Sequence, residues 1–274
     1  KLAAAVYASQ KTPRSPSDIV LEVSSGMALG DLPGGAPTAC WVFTNAESVR
    51  LYRGNDYIAA FSPDRHGRFA AMPHPPIEIN DFVGSLLEKY EGMDPPSAQA
   101  AASILNDMRR CAMELSPLSK ARMLSLRLSW NEVARMYCKY IGILGSPSPV
   151  YRFEAVWHGR VVGTVVREPV QSVRLECTVH NPILTDGPTW DCAAVSLRAI
   201  DQNGNLLPYC GEAVQLRVDG PLKIIGPSVV PLRGGMAGTY LATTGEAGRA
   251  VLHCRMEGAL DTDAVLTIRS RENG

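Results

Sequence analysis

No stretch of this chain approaches the run of about 20 apolar residues that a membrane helix requires. Nor is there an excess of charge of either sign: 27 basic residues balance 27 acidic ones. The electrostatic footprint of a nucleic-acid or anionic-membrane binder is therefore missing. The seven cysteines (40, 111, 138, 177, 192, 210 and 254) contain no C-x-x-C pair, the spacing that zinc or dithiol chemistry favours. The five histidines (66, 74, 158, 180 and 253) are dispersed, without metal-ligand spacing. No G-x-S-x-G marks a nucleophile elbow. No alternation of strand and helix signals a β/α barrel. The chain opens at Lys1 with no charged-then-apolar leader, so no signal peptide is read.

What is present is a globular composition. The 274 residues are 46% hydrophobic, enough for two or three compact units. Ser48 to Arg53 and Tyr57 to Phe61 alternate polar and apolar residues around Gly54-Asn55-Asp56, the pattern of a β-hairpin. Two strands alone are marginal in water. The next strand candidates, Tyr151 to Trp157 and Val161 to Val166, lie about ninety residues on. Between them the pattern is helical. Asn80 is placed to cap a helix carrying Phe82, Val83, Leu86, Leu87 and Tyr90 and ending at Gly92. Asp94-Pro95-Pro96 and Ser116-Pro117 each place a capping side chain before a proline. Ser129-Trp130-Asn131-Glu132 reads as a capping box.

After Pro169, seven strands are expected, from Gln171 to Arg269, with turns at Asp201 to Asn205, Asp219 to Pro221 and Gly245 to Gly248. The fold class that follows is mainly β. It comprises two immunoglobulin-like β-sandwiches, the first interrupted by a small helical insertion. The expected organisation is a linker over residues 1–17 and a first sandwich over 18–168 with its insertion at about 78–146. A second sandwich follows over 169–274. The cysteines are expected to be small buried hydrophobes with free thiols, which fits a reducing cytoplasm. The alternative is a bridge between the sheets of the second sandwich, on whose strands Cys192 and Cys254 fall.

Several short motifs carry a family resemblance. Thr44-Asn45 with Val49-Arg50-Leu51-Tyr52 is one, and His74-Pro75-Pro76-Ile77 another. Leu86 to Gly92, Lys139 to Gly142, Tyr151 to Ala155, Ile224 to Pro227 and Leu232 to Tyr240 continue the series. In order and spacing they resemble the C-terminal, post-barrel region of bacterial glycoside hydrolase family 2 proteins of the β-galactosidase type. The resemblance implies that residues 1–10 leave the last helix of a catalytic barrel lying upstream. It also implies that this barrel is the chain's main partner, with homo-oligomer contacts besides. Nucleic acid, membrane and cofactors have no place in it.

The resemblance assigns no catalytic, binding or metal residue here. A retaining glycosidase needs two carboxyl groups about 5–5.5 Å apart, and in this family both stand on barrel strands. Asn131-Glu132 matches the family's acid/base pair in type, but sits in a capping box on a helix. Tyr151, Phe153, Ala155 and Trp157 share one face of a strand, as a sugar-stacking platform or as an inward core row; the core reading places Trp157 inside. His74, between prolines, is expected to make a structural hydrogen bond. Asp186 and Asp191 beside Trp190 suggest a cation or sugar contact, or ordinary turn chemistry. Gly234 to Gly238 lacks the Lys-Ser/Thr of a phosphate loop and reads as an inter-strand loop.

Overall fold

In the computed structural model, which describes residues 2–24, 40–111, 114–142 and 149–270, strands predominate. Two units, Lys1–Pro169 and Val170–Gly274, each hold their own core. Among the described residues, no helix is long and apolar enough to cross a membrane.

The first unit contains β1 (Leu21–Val23), β2 (Cys40–Thr44), β3 (Ser48–Arg53), β4 (Asp56–Phe61), β5 (Ile77–Ile79), β6 (Tyr151–Trp157) and β7 (Arg160–Arg167). One sheet has the order β1-β2-β5 and the other β4-β3-β6-β7, with every pair antiparallel. The β3–β4 hairpin turns at Gly54, whose φ of 58° suits glycine. Its other neighbour is the distant β6, with Ser48 opposite Val156 and Arg53 opposite Tyr151. Val49, Leu51, Tyr151 and Phe153 point inward and are fully buried.

The inward row of β6 stops short of Trp157, contrary to the alternation in the sequence. Ala155 pairs with Gly163 but Val156 pairs with Val161, so the register slips between them. The extra residue, Val162, stands on β7, so the bulge belongs to that strand. On β6 beside it, Ala155 and Val156 are both buried, and Trp157 is left half-buried with its ring 4.2 Å from that of His158.

The helices are α1 (Leu2–Ala8), α2 (Leu86–Glu91), α3 (Pro95–Arg110), α4 (Pro117–Ser125) and α5 (Trp130–Tyr140). Three N-caps are as expected: Asp94, Ser116 and Ser129 accept backbone N–H bonds from Ser97, Ser119 and Glu132. Asn80 is not a cap. The helical stretch expected from about residue 78 opens with β5, which pairs with β2, and α2 starts only at Leu86. The reason is Gly84. Its φ is +50°, and a Cβ there would lie 2.4 Å from the carbonyl oxygen of Ile58. The chain is pressed against β4 in a conformation that no helix continues. Asp81 fixes this bend by accepting from the backbone N–H of Val83 and Gly84, at 2.9 and 3.1 Å.

Helices and sheets share one core. Ala98, Ile104, Leu105, Val133 and Tyr137 pack in the same cluster as Val42, Leu51 and Phe153. Phe82 meets Tyr151 edge-on at 5.6 Å, and the Arg109 guanidinium lies 4.7 Å from the Phe82 ring centre. Burial pushes the Tyr151 hydroxyl up to about 12.

The segment expected as a linker is tied down. Gln10 and His74 exchange two hydrogen bonds, Gln10 Nε2 to the His74 carbonyl at 2.9 Å and the His74 N–H to Gln10 Oε1 at 3.0 Å. The structural bonds at His74 are thus made by its backbone. The Asn45 side chain, almost wholly buried, donates to the carbonyls of Lys11 and Asp18 at 2.9 and 3.1 Å. It also accepts from the Val20 N–H at 2.8 Å.

The second unit contains β8 (Val173–Val179), β9 (Ile183–Asp186), β10 (Cys192–Ile200), β11 (Ala213–Asp219) and β12 (Leu222–Ile225). It continues with β13 (Val229–Pro231), β14 (Met236–Thr243), β15 (Gly248–Met256), β16 (Ala259–Leu260) and β17 (Thr262–Ser270). Its two five-stranded sheets run β12-β14-β10-β8-β16 and β13-β11-β15-β17-β9. Three short strands, β9, β13 and β16, add to the seven expected. Two of them pair parallel at sheet edges. Strands of two to four residues are set by the neighbour they join and carry too few residues for a period of their own.

Candidate functional site

A cleft of about 630 Å³ lies in the first unit, between β4, the bend before α2, and α3. Its polar lining includes Asp81, Ser85, Glu88, Gln99, Ser103 and Arg110. The wall is fixed by Asn106, which is nearly buried on α3. Asn106 Nδ2 donates to Asp81 Oδ1 at 2.7 Å and to the Ala102 carbonyl at 3.0 Å, while its Oδ1 accepts from the Phe82 N–H at 3.1 Å. Ser103 Oγ accepts from Arg122 at 2.7 Å. The lining suits hydrogen bonding to a polar ligand, and Asp81 is already engaged in shaping the backbone.

The strongest electrostatic feature is also in this unit. Glu91, at the end of α2, accepts from Arg135 at 2.9 Å, Lys139 at 2.8 Å and the Tyr140 hydroxyl at 2.8 Å, all three on α5. These bonds hold the Glu91 carboxyl down at about 2. Arg135 and Lys139 are raised in turn, their bonds to Glu91 being the main cause. The segments Leu86 to Gly92 and Lys139 to Gly142, noticed separately in the sequence, therefore meet as one clamp. Asp56 on β4 adds a second tie to α2, through Lys89 and the Tyr90 hydroxyl, the latter at 2.8 Å.

The residues weighed in the sequence are scattered. Glu132 closes its capping box, accepting from the Ser129 N–H and Oγ, both at 2.7 Å. Those bonds draw its carboxyl downward, away from the protonated state of a general acid. Asp186 is buried and accepts from Thr243 Oγ1 at 2.8 Å. Asp191 accepts from the backbone N–H of Thr185 and Cys192. Both are engaged in holding loops, and Trp190 between them is 61% exposed. Gly235 needs its φ of +74°, and a Cβ there would lie 2.2 Å from the Leu207 carbonyl oxygen. The loop ends at Gly235, since Met236 to Gly238 already belong to β14. Cys192 is exposed and Cys254 buried, both as free thiols.

Among the described residues, no group of three or more His, Cys, Asp or Glu side chains is arranged to hold a metal ion. Sequence reasoning missed Asp81 and Asn106, whose pairing crosses 25 positions. The hub at Glu91 left a trace, since it lies within one of the recurring motifs.

No protein-family profile matches the chain. A β-galactosidase of Rhizobium meliloti is 28% identical over 262 residues, covering 94% of this chain and 27% of the relative. The chain spans 22% and 25% of two further β-galactosidases that it matches. In fold it is similar to a β-glycosidase from Bacteroides vulgatus, with a TM-score of 0.58 and 12% identity, over 97% of this chain and 26% of that one. It is similar also to a β-glucuronidase from glycoside hydrolase family 2, with a TM-score of 0.53 and 12% identity, over 99% and 22%. Relatives in sequence and neighbours in fold thus agree with the motifs: the chain is similar in sequence to part of β-galactosidases and in fold to part of a β-glycosidase and of a glycoside hydrolase family 2 β-glucuronidase.

Proposed function

We propose that this chain is the non-catalytic C-terminal region of a β-galactosidase-like glycoside hydrolase. It acts as a scaffold on which the parent's catalytic barrel rests, while the full-length parent hydrolyses β-glycosidic bonds in carbohydrates. The observation that carries this reading is coverage: 94% of the chain aligns with only 27% of a β-galactosidase. The engaged state of Glu132 supports it, because the residue that mimics the family's acid/base pair is occupied as a helix cap. Contacts between copies of the parent belong to the same proposal. So does a cytoplasmic location, supported by the free thiols, the form a reducing compartment maintains.

The test is turnover. The purified chain is expected to release no chromophore from aryl β-galactosides or β-glucuronides above the buffer rate. Turnover that disappears when one of its own carboxylates is replaced by the amide would overturn the proposal.

A carbohydrate-binding module is the second reading, and Trp190 is the observation that favours it. A largely exposed indole offers the flat apolar face that stacks on a pyranose. Calorimetric titration with galactosides decides the matter. Saturable binding lost in Trp190→Ala, in a variant that melts like the original, favours the module, and heats indistinguishable from dilution favour the scaffold.

A further inference from the structure

The cleft between β4, the bend before α2, and α3 holds more polar chemistry than its walls consume. Asp81 Oδ1 accepts from the N–H groups of Val83 and Gly84 at 2.9 and 3.1 Å and from Asn106 Nδ2 at 2.7 Å. Its second oxygen has no partner among the described residues. A carboxylate anchored through one oxygen holds the other ready as an acceptor. Ser103 Oγ accepts from Arg122 at 2.7 Å, which leaves its own proton to donate. Ser85 stands at the capping position of α2, yet its hydroxyl caps no N–H. Glu88 on α2 and Arg110 at the end of α3 line the same cleft. Among the described residues, neither they nor Asp81 enters an ion pair. Charges of both signs therefore share one cleft without neutralising each other, and Ile58, Pro95 and Pro96 add apolar surface.

We propose that this cleft binds a free α-amino acid with an aliphatic side chain. The ligand's two charges match the two signs on the walls. Arg110 takes the carboxylate, since a guanidinium fork meets two oxygens at once. The ammonium donates to the free oxygen of Asp81 and to Glu88, and the aliphatic group covers Ile58 and the two prolines. Other classes fit less well. An inorganic anion would face two carboxylates, and a simple amine would leave Arg110 unmatched. Among the described residues no aromatic side chain lines the cleft, so a flat heterocycle has nothing to stack on. The volume of about 630 Å³ is that of a small-molecule site. Binding there needs neither the parent's barrel nor a sugar, so its failure leaves the scaffold reading untouched.

The experiment titrates the whole 274-residue chain with L-valine and follows its amide chemical shifts. Gly84, Ser85, Gln99 and Ser103 should shift saturably, while the amides of the second unit stay in place. Isobutylamine and isovalerate each carry one of the two charges, and each should bind about tenfold more weakly than L-valine. Arg110→Gln and Glu88→Gln change exposed side chains and should leave the melting temperature unchanged. Each should weaken L-valine about tenfold. The proposal is overturned by the lack of a saturable shift with L-valine, by equal binding of isobutylamine or isovalerate, or by binding that survives both substitutions.

Discussion

Both units are two-sheet sandwiches, yet they complete their cores by different means. The second unit faces one five-stranded sheet with another, and its core cluster is drawn from strands and the turns between them. The first sets a three-stranded sheet beside a four-stranded one. Three short strands cannot cover the apolar face that Val49, Leu51, Tyr151 and Phe153 present. Helices α3 and α5 supply the missing layer with Ile104, Leu105, Val133 and Tyr137. The helical insertion is thus also a layer of the core. The difference also places the polar chemistry. The cleft lies where helices meet the sandwich of the first unit and the Glu91 clamp joins two of those helices, whereas a sheet facing a sheet leaves few such junctions.

The largest expected effect comes from removing the helical layer. Deleting residues 80–142 and joining the ends with a short flexible linker should abolish cooperative unfolding of the first unit and leave the second unit's transition in place. Calorimetry reads both. A deleted chain that keeps two cooperative transitions would mean that the sheets need no helical layer and dissolve the contrast.

A smaller effect separates two aromatics of one strand. Phe153→Ala should cost about 3–5 kcal/mol, because the ring is fully buried. Trp157→Ala should cost less, because its ring is only partly buried at the end of the strand. Chemical denaturation measures both, and equal costs would contradict this difference in burial.

That pair of residues also shows where the sequence runs out. The hairpin at Gly54, the long-range partner β6 and three helix caps follow from local chemistry that one segment carries alone. The bulge at Val162 of β7 does not, because it exists only in the pairing of that strand with β6. Strands β9, β13 and β16 were hidden for the same reason. The cleft at Asp81 is illegible because Gly84 falls within the expected helix from Asn80 to Gly92, whereas the approach of Ile58 excludes a side chain there.

Next in size is Asn45→Ala. It removes three hydrogen bonds to the backbone of Lys11, Asp18 and Val20 and should cost about 2–3 kcal/mol. Residues 2–20 should exchange their amide protons faster, while the second unit is unchanged. Protection equal to the original's would mean that Asn45 does not anchor this segment.

The smallest effect is a pH difference between the units. The Glu91 carboxyl is held at about 2, below its ordinary 4.5. Its contribution is complete above about 4.5 and fades as the pH falls towards 2. The exposure of Arg135 and Lys139 limits it to about 1 kcal/mol. Glu91→Gln should flatten this part of the first unit's acid profile. A variant whose profile matches the original's down to pH 2 would remove Glu91 from the account.

The central claim, that this chain is a scaffold within a larger hydrolase, is tested most directly by complementation. The proposed parent truncated before this region should lose most of its β-galactoside turnover, and the separately purified chain, added back, should restore a measurable part of it. A truncated parent that turns over substrate at the full rate and melts at the same temperature would contradict the scaffold role.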